Sequence, residues 1–182
     1  MTTVLWRRLD GVGLERCTVR ERPAGVDLAG TALLDLGGKP AEVRWTVEVD
    51  EKWVTRTADV HLDVAGVVRT RALTHDGNGA WQLDGRDRSD LDGCLDVDLG
   101  VTPATNTLPI RRLGTTGDVD AAWVQFPSLD VTRLTQRYER LGDRRWRYSA
   151  GPSFKAMLET TAEGVVVRYQ HGWEAVTVSS SR

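Results

Sequence analysis

The sequence predicts a mainly β protein, built as a single rolled antiparallel β-sheet or half-barrel with a minor helix. Two observations lead to this prediction. Apolar and polar residues alternate along much of the chain, as in Ala41–Val49 and Asp59–Val64, which is the pattern of strands with one buried and one wet face. Glycine-containing turn signals also recur at intervals of about 8 to 12 residues, the spacing of an all-β roll, barrel or sandwich.

Length and composition predict one soluble globular domain spanning residues 1–182. Hydrophobic residues make up 40% of the chain and charged residues 27%, and the formal net charge is −2. This balance gives no reason to expect nucleic acid as a partner. No apolar run approaches the roughly 20 residues of a transmembrane helix, and the N-terminus lacks the long apolar core of a signal peptide. The expected location is therefore the cytoplasm, and the oligomeric state is left undetermined.

The residue types that most often carry catalysis or bind metals are sparse. The spacing of Cys17 and Cys94 leaves a disulfide open, although two thiols in a chain of this size suit a reducing compartment. The histidines His61, His75 and His171 have no recognisable partner, and neither Gly-x-Ser-x-Gly nor His-Glu-x-x-His occurs. We therefore predict no cofactor, no metal and no catalytic residue.

Two hairpins are predicted. Val68–Thr74 and Ala80–Leu83 flank Asp76–Gly79, a strong turn signal because glycine and asparagine accept positive φ. In the last third of the chain, the alternating segments within residues 154–169 flank a second turn at Ala162–Gly164. Both hairpins place consecutive strands next to each other in the predicted sheet.

Two segments are less clear from their pattern. Val131–Leu141 fits a helical stripe as well as a strand, and we favour a strand because its threonines and Tyr138 suit a pleated surface. The best helix candidate is short: Thr107 would cap it, Pro109 would lie in its first turn, and Arg111–Leu113 would follow.

The segment Asp90–Leu99 has an unusual density of acidic side chains. If it is one strand, its leucines and Val97 share one face. The opposite face then carries Asp90, Asp92, Cys94, Asp96 and Asp98. Four carboxylates on one face repel one another unless water, cations or arginines screen them. This face is therefore the first candidate for a functional surface.

Three explanations of the acidic face remain open. It could be a solvent-washed outer face, or it could bind a divalent cation, although the spacing does not match an EF-hand loop. In the third, the polar turn at 102–107 folds Arg111 and Arg112 back over the acids. Arginine guanidinium groups, which donate two parallel hydrogen bonds, could then lie beside the carboxylates and hold sugar hydroxyls or a phosphorylated head group. The same residues could equally form a buried ion-pair network that fixes the turn.

Seven tryptophans are many for a chain of this size. Most are expected in the core, because an all-β domain needs large side chains to fill the space between its layers. Some could line a cavity, where an indole offers an apolar wall and one hydrogen-bond donor. The tryptophans are Trp6, Trp45, Trp53, Trp81, Trp123, Trp146 and Trp173.

The sequence resembles a bacterial family of glycolipid-binding proteins that was formerly a domain of unknown function. The resemblance covers essentially the whole chain. It is carried by Trp6 with Gly13–Glu15, Trp45–Trp53, Asp92–Leu99, Thr102–Leu113, Phe126–Pro127, Gln136–Tyr138 and Gly164–Tyr169. It implies a rolled antiparallel sheet around a little helix, similar to bacterial lipoprotein carriers, whose half-closed sheet holds acyl chains in its hollow.

We therefore predict a module that binds an amphipathic small molecule, with a glycolipid among the candidates. An apolar hollow would take the hydrophobic part, and a polar mouth of aspartates and arginines would hold the head group. The predicted ligand-binding residues are Asp92, Cys94, Asp96, Asp98, Asn106, Arg111, Arg112, Gln136, Tyr138 and Tyr169. Two alternatives stay open: a hydrolase of a glycoside or lipid that uses paired aspartates, and a structural or protein-interaction domain with no ligand.

Overall fold

The computed structural model describes residues 1–181, and their strands form one continuous sheet. The strands are β1 (Thr2–Arg8), β2 (Gly13–Arg22), β3 (Gly25–Asp35), β4 (Pro40–Val49), β5 (Thr55–Val64), β6 (Val67–His75), β7 (Trp81–Leu83), β8 (Arg86–Asp87), β9 (Asp96–Leu99), β10 (Gly117–Val124), β11 (Val131–Arg140), β12 (Arg145–Ala150), β13 (Phe154–Thr160), β14 (Val166–Tyr169) and β15 (Trp173–Ser180). The α-helix, α1, is Thr107–Leu113.

The strand order is β8-β7-β6-β5-β4-β3-β2-β1-β15-β14-β13-β12-β11-β10-β9. The first and last strands, β1 and β15, pair in the middle of the sheet and so join its two halves. The predicted mainly β fold, one rolled sheet with a minor helix, is confirmed. It departs from a purely antiparallel sheet at one edge, where β9 and β10 are parallel because the chain crosses over through α1 between them.

Contacts between distant strands roll the sheet around its interior. The backbone N–H of Thr55 in β5 donates to the carbonyl of Leu95 at 3.0 Å, and the Thr55 hydroxyl accepts from the N–H of Val97 in β9 at 3.0 Å. Arg71 in β6 donates to the carbonyl of Leu129 at 3.0 Å. Because these contacts bring the two ends of the sheet together, one face encloses the core.

The alternation that predicted the strands also decides which side chains form the core. In β4, Val43, Trp45 and Val47 are buried between more exposed polar neighbours. The first predicted hairpin is confirmed, with β6 and β7 joined by a turn in which Gly77 and Gly79 have φ of 90° and 117°. The second is confirmed as the pairing of β13 with β14.

The preference for a strand at Val131–Leu141 is confirmed by β11, and the predicted short helix is confirmed by α1. The capping role of Thr107 is wrong, since Thr107 is the first helical residue and its hydroxyl accepts from the N–H of Val166 at 3.4 Å. Gly114 ends the helix with φ of 62°, and its N–H donates to the carbonyl of Ile110 at 3.1 Å.

The prediction of one strand over Asp90–Leu99 is wrong. Residues 89–91 form a 3₁₀ turn, and the strand covers only the last four residues of the segment. Gly93 has φ of 87°, a left-handed conformation that breaks the two-residue period of a strand. The acidic residues are consequently split: Asp90 and Asp92 are exposed, whereas Asp96 is buried.

Both cysteines are buried free thiols, so Cys17 and Cys94 are not joined by a disulfide. They lie in the main hydrophobic cluster of the interior, as expected for small buried hydrophobic residues. Within residues 1–181, no helix has the length and apolar character required to cross a membrane.

Gly30 in β3 gives a test of how closely the core is packed. A Cβ atom at this position would lie well inside van der Waals contact with the indole of Trp45. We expect Gly30→Ala to displace the indole and lower the free energy of unfolding by about 1–3 kcal/mol, measured by urea denaturation. Gly142→Ala is the control, because a Cβ at Gly142 meets no atom within 4 Å. Equal losses in the two variants would contradict the prediction.

Candidate functional site

A cavity of about 560 Å³ lies inside the rolled sheet and is lined by residues from both of its halves. Small-molecule sites commonly have volumes of about 300–1,000 Å³. Most of the wall is formed by large apolar side chains. These include Leu36, Trp123, Phe126, Leu134, Phe154 and Trp173. The cavity therefore offers an apolar surface of the size that a small ligand needs.

Polar side chains gather on one part of the cavity wall. Asp98 comes from β9, Asn106 from the turn before α1, Tyr148 from β12 and Tyr169 from the end of β14. The rings of Tyr148 and Tyr169 lie 6.1 Å apart between their centroids. We call Asp98, Asn106, Tyr148 and Tyr169 the polar cluster.

A second layer of polar residues supports the cluster. Gln136 Nε2 donates to Asp98 Oδ2 at 2.5 Å. The Tyr138 hydroxyl lies within hydrogen-bonding distance of Gln136 Oε1 at 3.2 Å and of Asn106 Oδ1 at 2.9 Å. Gln136 and Tyr138 are both buried in β11. This network fixes Asp98 and Asn106 in place, because buried polar groups lose stability when they are left without partners.

The carboxyl of Asp98 has an altered acidity. Burial raises its pKa to about 6, and hydrogen bonds from Gln136 and Thr105 only partly offset this effect. Burial also raises the pKa of the Tyr148 and Tyr169 hydroxyls, so both remain neutral donors in the ordinary pH range. At neutral pH the polar cluster therefore presents one carboxylate beside two hydroxyl groups.

Asp96 and Arg112 form a pair outside the cavity lining. Asp96 is buried, and the Arg112 guanidinium reaches it through both Nη2 and Nε, the latter at 3.4 Å from Asp96 Oδ1. Neither residue lines the cavity. Of the explanations left open for the acidic face, this pair matches the buried ion-pair network that ties α1 to β9.

Three other predicted residues lie away from the cavity. Arg111 is exposed: its Nη1 donates to the carbonyl of Glu163 at 2.8 Å, and its guanidinium lies 4.8 Å from the ring centroid of Trp53. Asp92 is exposed in the turn after the 3₁₀ segment. Cys94 is buried in the core, and burial raises the pKa of its thiol to about 11.

The structure thus places the predicted ligand-binding residues in different settings. Asp98, Asn106 and Tyr169 line the cavity, and Gln136 and Tyr138 support them from behind. The apolar lining and Tyr148 were not predicted individually. The signal that could have found Tyr148 is its two-residue spacing from Trp146, which puts both side chains on the inner face of β12.

The fold and this cavity define the class of protein: a rolled β-sheet that encloses an amphipathic pocket. Residues 3–175 match the model of the family described as "Putative glycolipid-binding", and the chain belongs to this family. No curated protein matches the chain.

Two of the solved structures that are similar to it are the following. One is a DUF1089 family protein from Pseudomonas aeruginosa, with 31% sequence identity, a TM-score of 0.77, and coverage of 89% of this chain and 91% of the other. The second is a β-barrel-like protein of the domain of unknown function DUF1849 from Brucella abortus, with 9% identity, a TM-score of 0.58, and coverage of 100% of this chain and 97% of the other. At 9% identity, the second likeness concerns the fold alone.

Proposed function

We propose that the protein binds an amphipathic small molecule, a glycolipid or a ligand of similar build, in this cavity. The observation that supports the proposal most is that one partly open cavity combines a mainly apolar wall with the polar cluster. The family description, which refers to glycolipid binding, points in the same direction.

The wall and the polar cluster suggest how such a ligand lies. Its apolar part packs against side chains such as Trp123, Phe126 and Trp173, since burial of apolar surface is the main favourable term. Its head group meets the half-buried Asp98 and the buried Asn106, because polar groups withdrawn from water favour a ligand that supplies hydrogen-bonding partners.

The two alternative functions receive less support from the structure. A glycoside hydrolase of the usual kind needs two carboxyl groups that face the same substrate. Asp96, the expected partner of Asp98, is bound by Arg112 and does not line the cavity. The other carboxyl group of the lining, Asp10, is exposed and paired with Arg8. A purely structural domain would have a filled interior, and a cavity of about 560 Å³ weighs against that reading.

Partly filling the cavity should weaken binding. Ala150 lies at the end of β12 and lines the cavity, so Ala150→Trp would occupy part of its volume. We expect affinity for decyl glucoside, measured by isothermal titration calorimetry below the micellar concentration, to fall at least about tenfold because the indole clashes with the ligand. Ala162→Trp, in an exposed turn, is the matched control and should bind as the wild type does.

Native mass spectrometry of protein purified from its own host gives an independent test. A retained small molecule that Ala150→Trp lacks and Ala162→Trp keeps would support the proposal, and organic extraction would identify its class. Failure of the wild-type protein to retain any molecule, together with no binding of neutral, cationic or anionic decyl amphiphiles, would overturn it.

A further inference from the structure

The charges around the cavity bear on the kind of head group it accepts, an inference that rests on the proposed function. Among the described residues that line the cavity, the charged ones are Arg8, Asp10 and Asp98. Arg8 Nε lies 2.6 Å from Asp10 Oδ1, and both side chains reach solvent. Because Arg8 is already paired with a carboxylate, it offers little net positive charge to a ligand.

Asp98 has no cationic partner of its own among residues 1–181. Its hydrogen bonds come from neutral groups: Gln136 Nε2 at 2.5 Å and Thr105 Oγ1 at 3.4 Å. The neighbouring cation, Arg112, is bound to Asp96. The electrostatic potential at the polar cluster is therefore negative whenever Asp98 is ionised.

We propose that Asp98 makes the cavity selective for amphiphiles whose head group donates hydrogen bonds and carries no negative charge. A hydroxyl on such a head group donates to the Asp98 carboxylate, and charge-assisted bonds of this kind are the stronger ones. The same hydroxyl accepts from the Tyr169 hydroxyl or the Asn106 amide. Phosphorylated, sulfated and carboxylated head groups would instead place a second negative charge beside Asp98 in a poorly solvated space, which is unfavourable.

The tyrosine hydroxyls around Asp98 stay neutral between pH 5 and pH 7, whereas Asp98 itself changes its charge. Burial raises the pKa of Tyr138, Tyr148 and Tyr169, so these hydroxyls remain neutral. Burial raises the pKa of Asp96, and the Arg112 guanidinium opposes this rise. The buried Glu15, near Thr102 of the cavity wall, has a pKa raised by burial to about 8. Asp98, with a pKa of about 6, is mostly protonated at pH 5 and mostly ionised at pH 7.

Three probes that share a decyl chain test the proposal: decyl glucoside, decylamine and decanesulfonate, each titrated calorimetrically below its micellar concentration at pH 7. We expect decyl glucoside and decylamine to bind, and decanesulfonate to bind at least about tenfold more weakly than the glucoside because of charge repulsion. Asp98→Asn should reduce the ratio of the glucoside affinity to the sulfonate affinity severalfold. Asp118→Asn, which removes one exposed carboxylate on the outer surface, should leave it unchanged.

The outcomes separate the selectivity from the binding function. Failure of all three probes to bind the wild-type protein would overturn the proposed function itself. Equal affinities for the glucoside and the sulfonate would overturn the selectivity while leaving the binding function in place. If Asp98→Asn does not fold, the wild-type protein is titrated at pH 5 instead. The sulfonate keeps its charge at this pH, so protonation of Asp98 should reduce the ratio of the glucoside affinity to the sulfonate affinity. An unchanged ratio of these affinities would contradict the proposal.

Discussion

Replacing Arg112 with methionine is expected to lower the free energy of unfolding by about 3–5 kcal/mol, the usual cost of removing one partner from a buried ion pair. Asp96 is 1% exposed, and Arg112 is the cation that neutralises it. Methionine keeps most of the apolar stem but cannot donate to the carboxylate. Urea denaturation at pH 7 measures the loss directly.

The control for Arg112→Met is Arg137→Met, which breaks the exposed pair with Asp118 and should cost less than about 1 kcal/mol. Restoring neutrality with Asp96→Asn in the Arg112→Met background should recover part of the lost stability, because the buried charge is then gone. If Arg112→Met is no less stable than Arg137→Met, the Asp96–Arg112 pair does not hold α1 against β9 as we infer.

Raising the pH from 4.5 to 8 is expected to destabilise the protein through Glu15, by about 5 kcal/mol over the whole interval. Glu15 in β2 is fully buried, and burial raises its pKa from 4.5 to about 8 even though Trp45 Nε1 donates to Oε1 at 2.9 Å. Between these two values the folded protein keeps a proton that the unfolded chain has lost. The stabilising contribution is therefore complete below pH 4.5 and is lost as the pH rises through 8.

Glu15→Gln removes this titration while keeping a side chain of the same shape. The difference in unfolding free energy between the wild type and Glu15→Gln should change steadily across the interval, as measured by urea denaturation at several pH values. Glu174→Gln is the control: hydrogen bonding to Arg7 lowers the pKa of Glu174, so its difference from the wild type should be constant above pH 5.5. Parallel profiles for the wild type and Glu15→Gln would contradict a neutral, buried Glu15.

The fold could be predicted well because its main signals are local. The two-residue alternation in β4 and the glycines of the turn after β6 act within a few residues of each other, so they mark strands and hairpins directly. The same holds for α1, whose end at Gly114 follows from the left-handed conformation that glycine adopts easily.

The prediction of the acidic strand failed for an equally local reason. The two-residue period does not continue through Gly93, whose positive φ turns the chain and separates Asp90 and Asp92 from Asp96 and Asp98. Only Asp96–Leu99 enters the sheet, so Asp96 is buried there while Asp90 and Asp92 stay exposed. Without a continuous strand, the aspartates and arginines do not form one polar mouth: Arg111 donates to the carbonyl of Glu163, and Arg112 pairs with Asp96.

The candidate site shows where sequence reasoning reaches its limit. The alternating apolar pattern by itself determined the β-rich fold and the residues available to its interior, because the period of a strand sends alternate side chains to opposite faces. Only the tertiary structure decided that Asp98 accepts a hydrogen bond from Gln136, 38 residues away, and that Asn106 accepts one from Tyr138. It also decided that Arg112 forms a salt bridge with Asp96. Such partners are set by how the sheet rolls and where α1 packs against it, and no local pattern encodes a distance between strands so far apart in the chain.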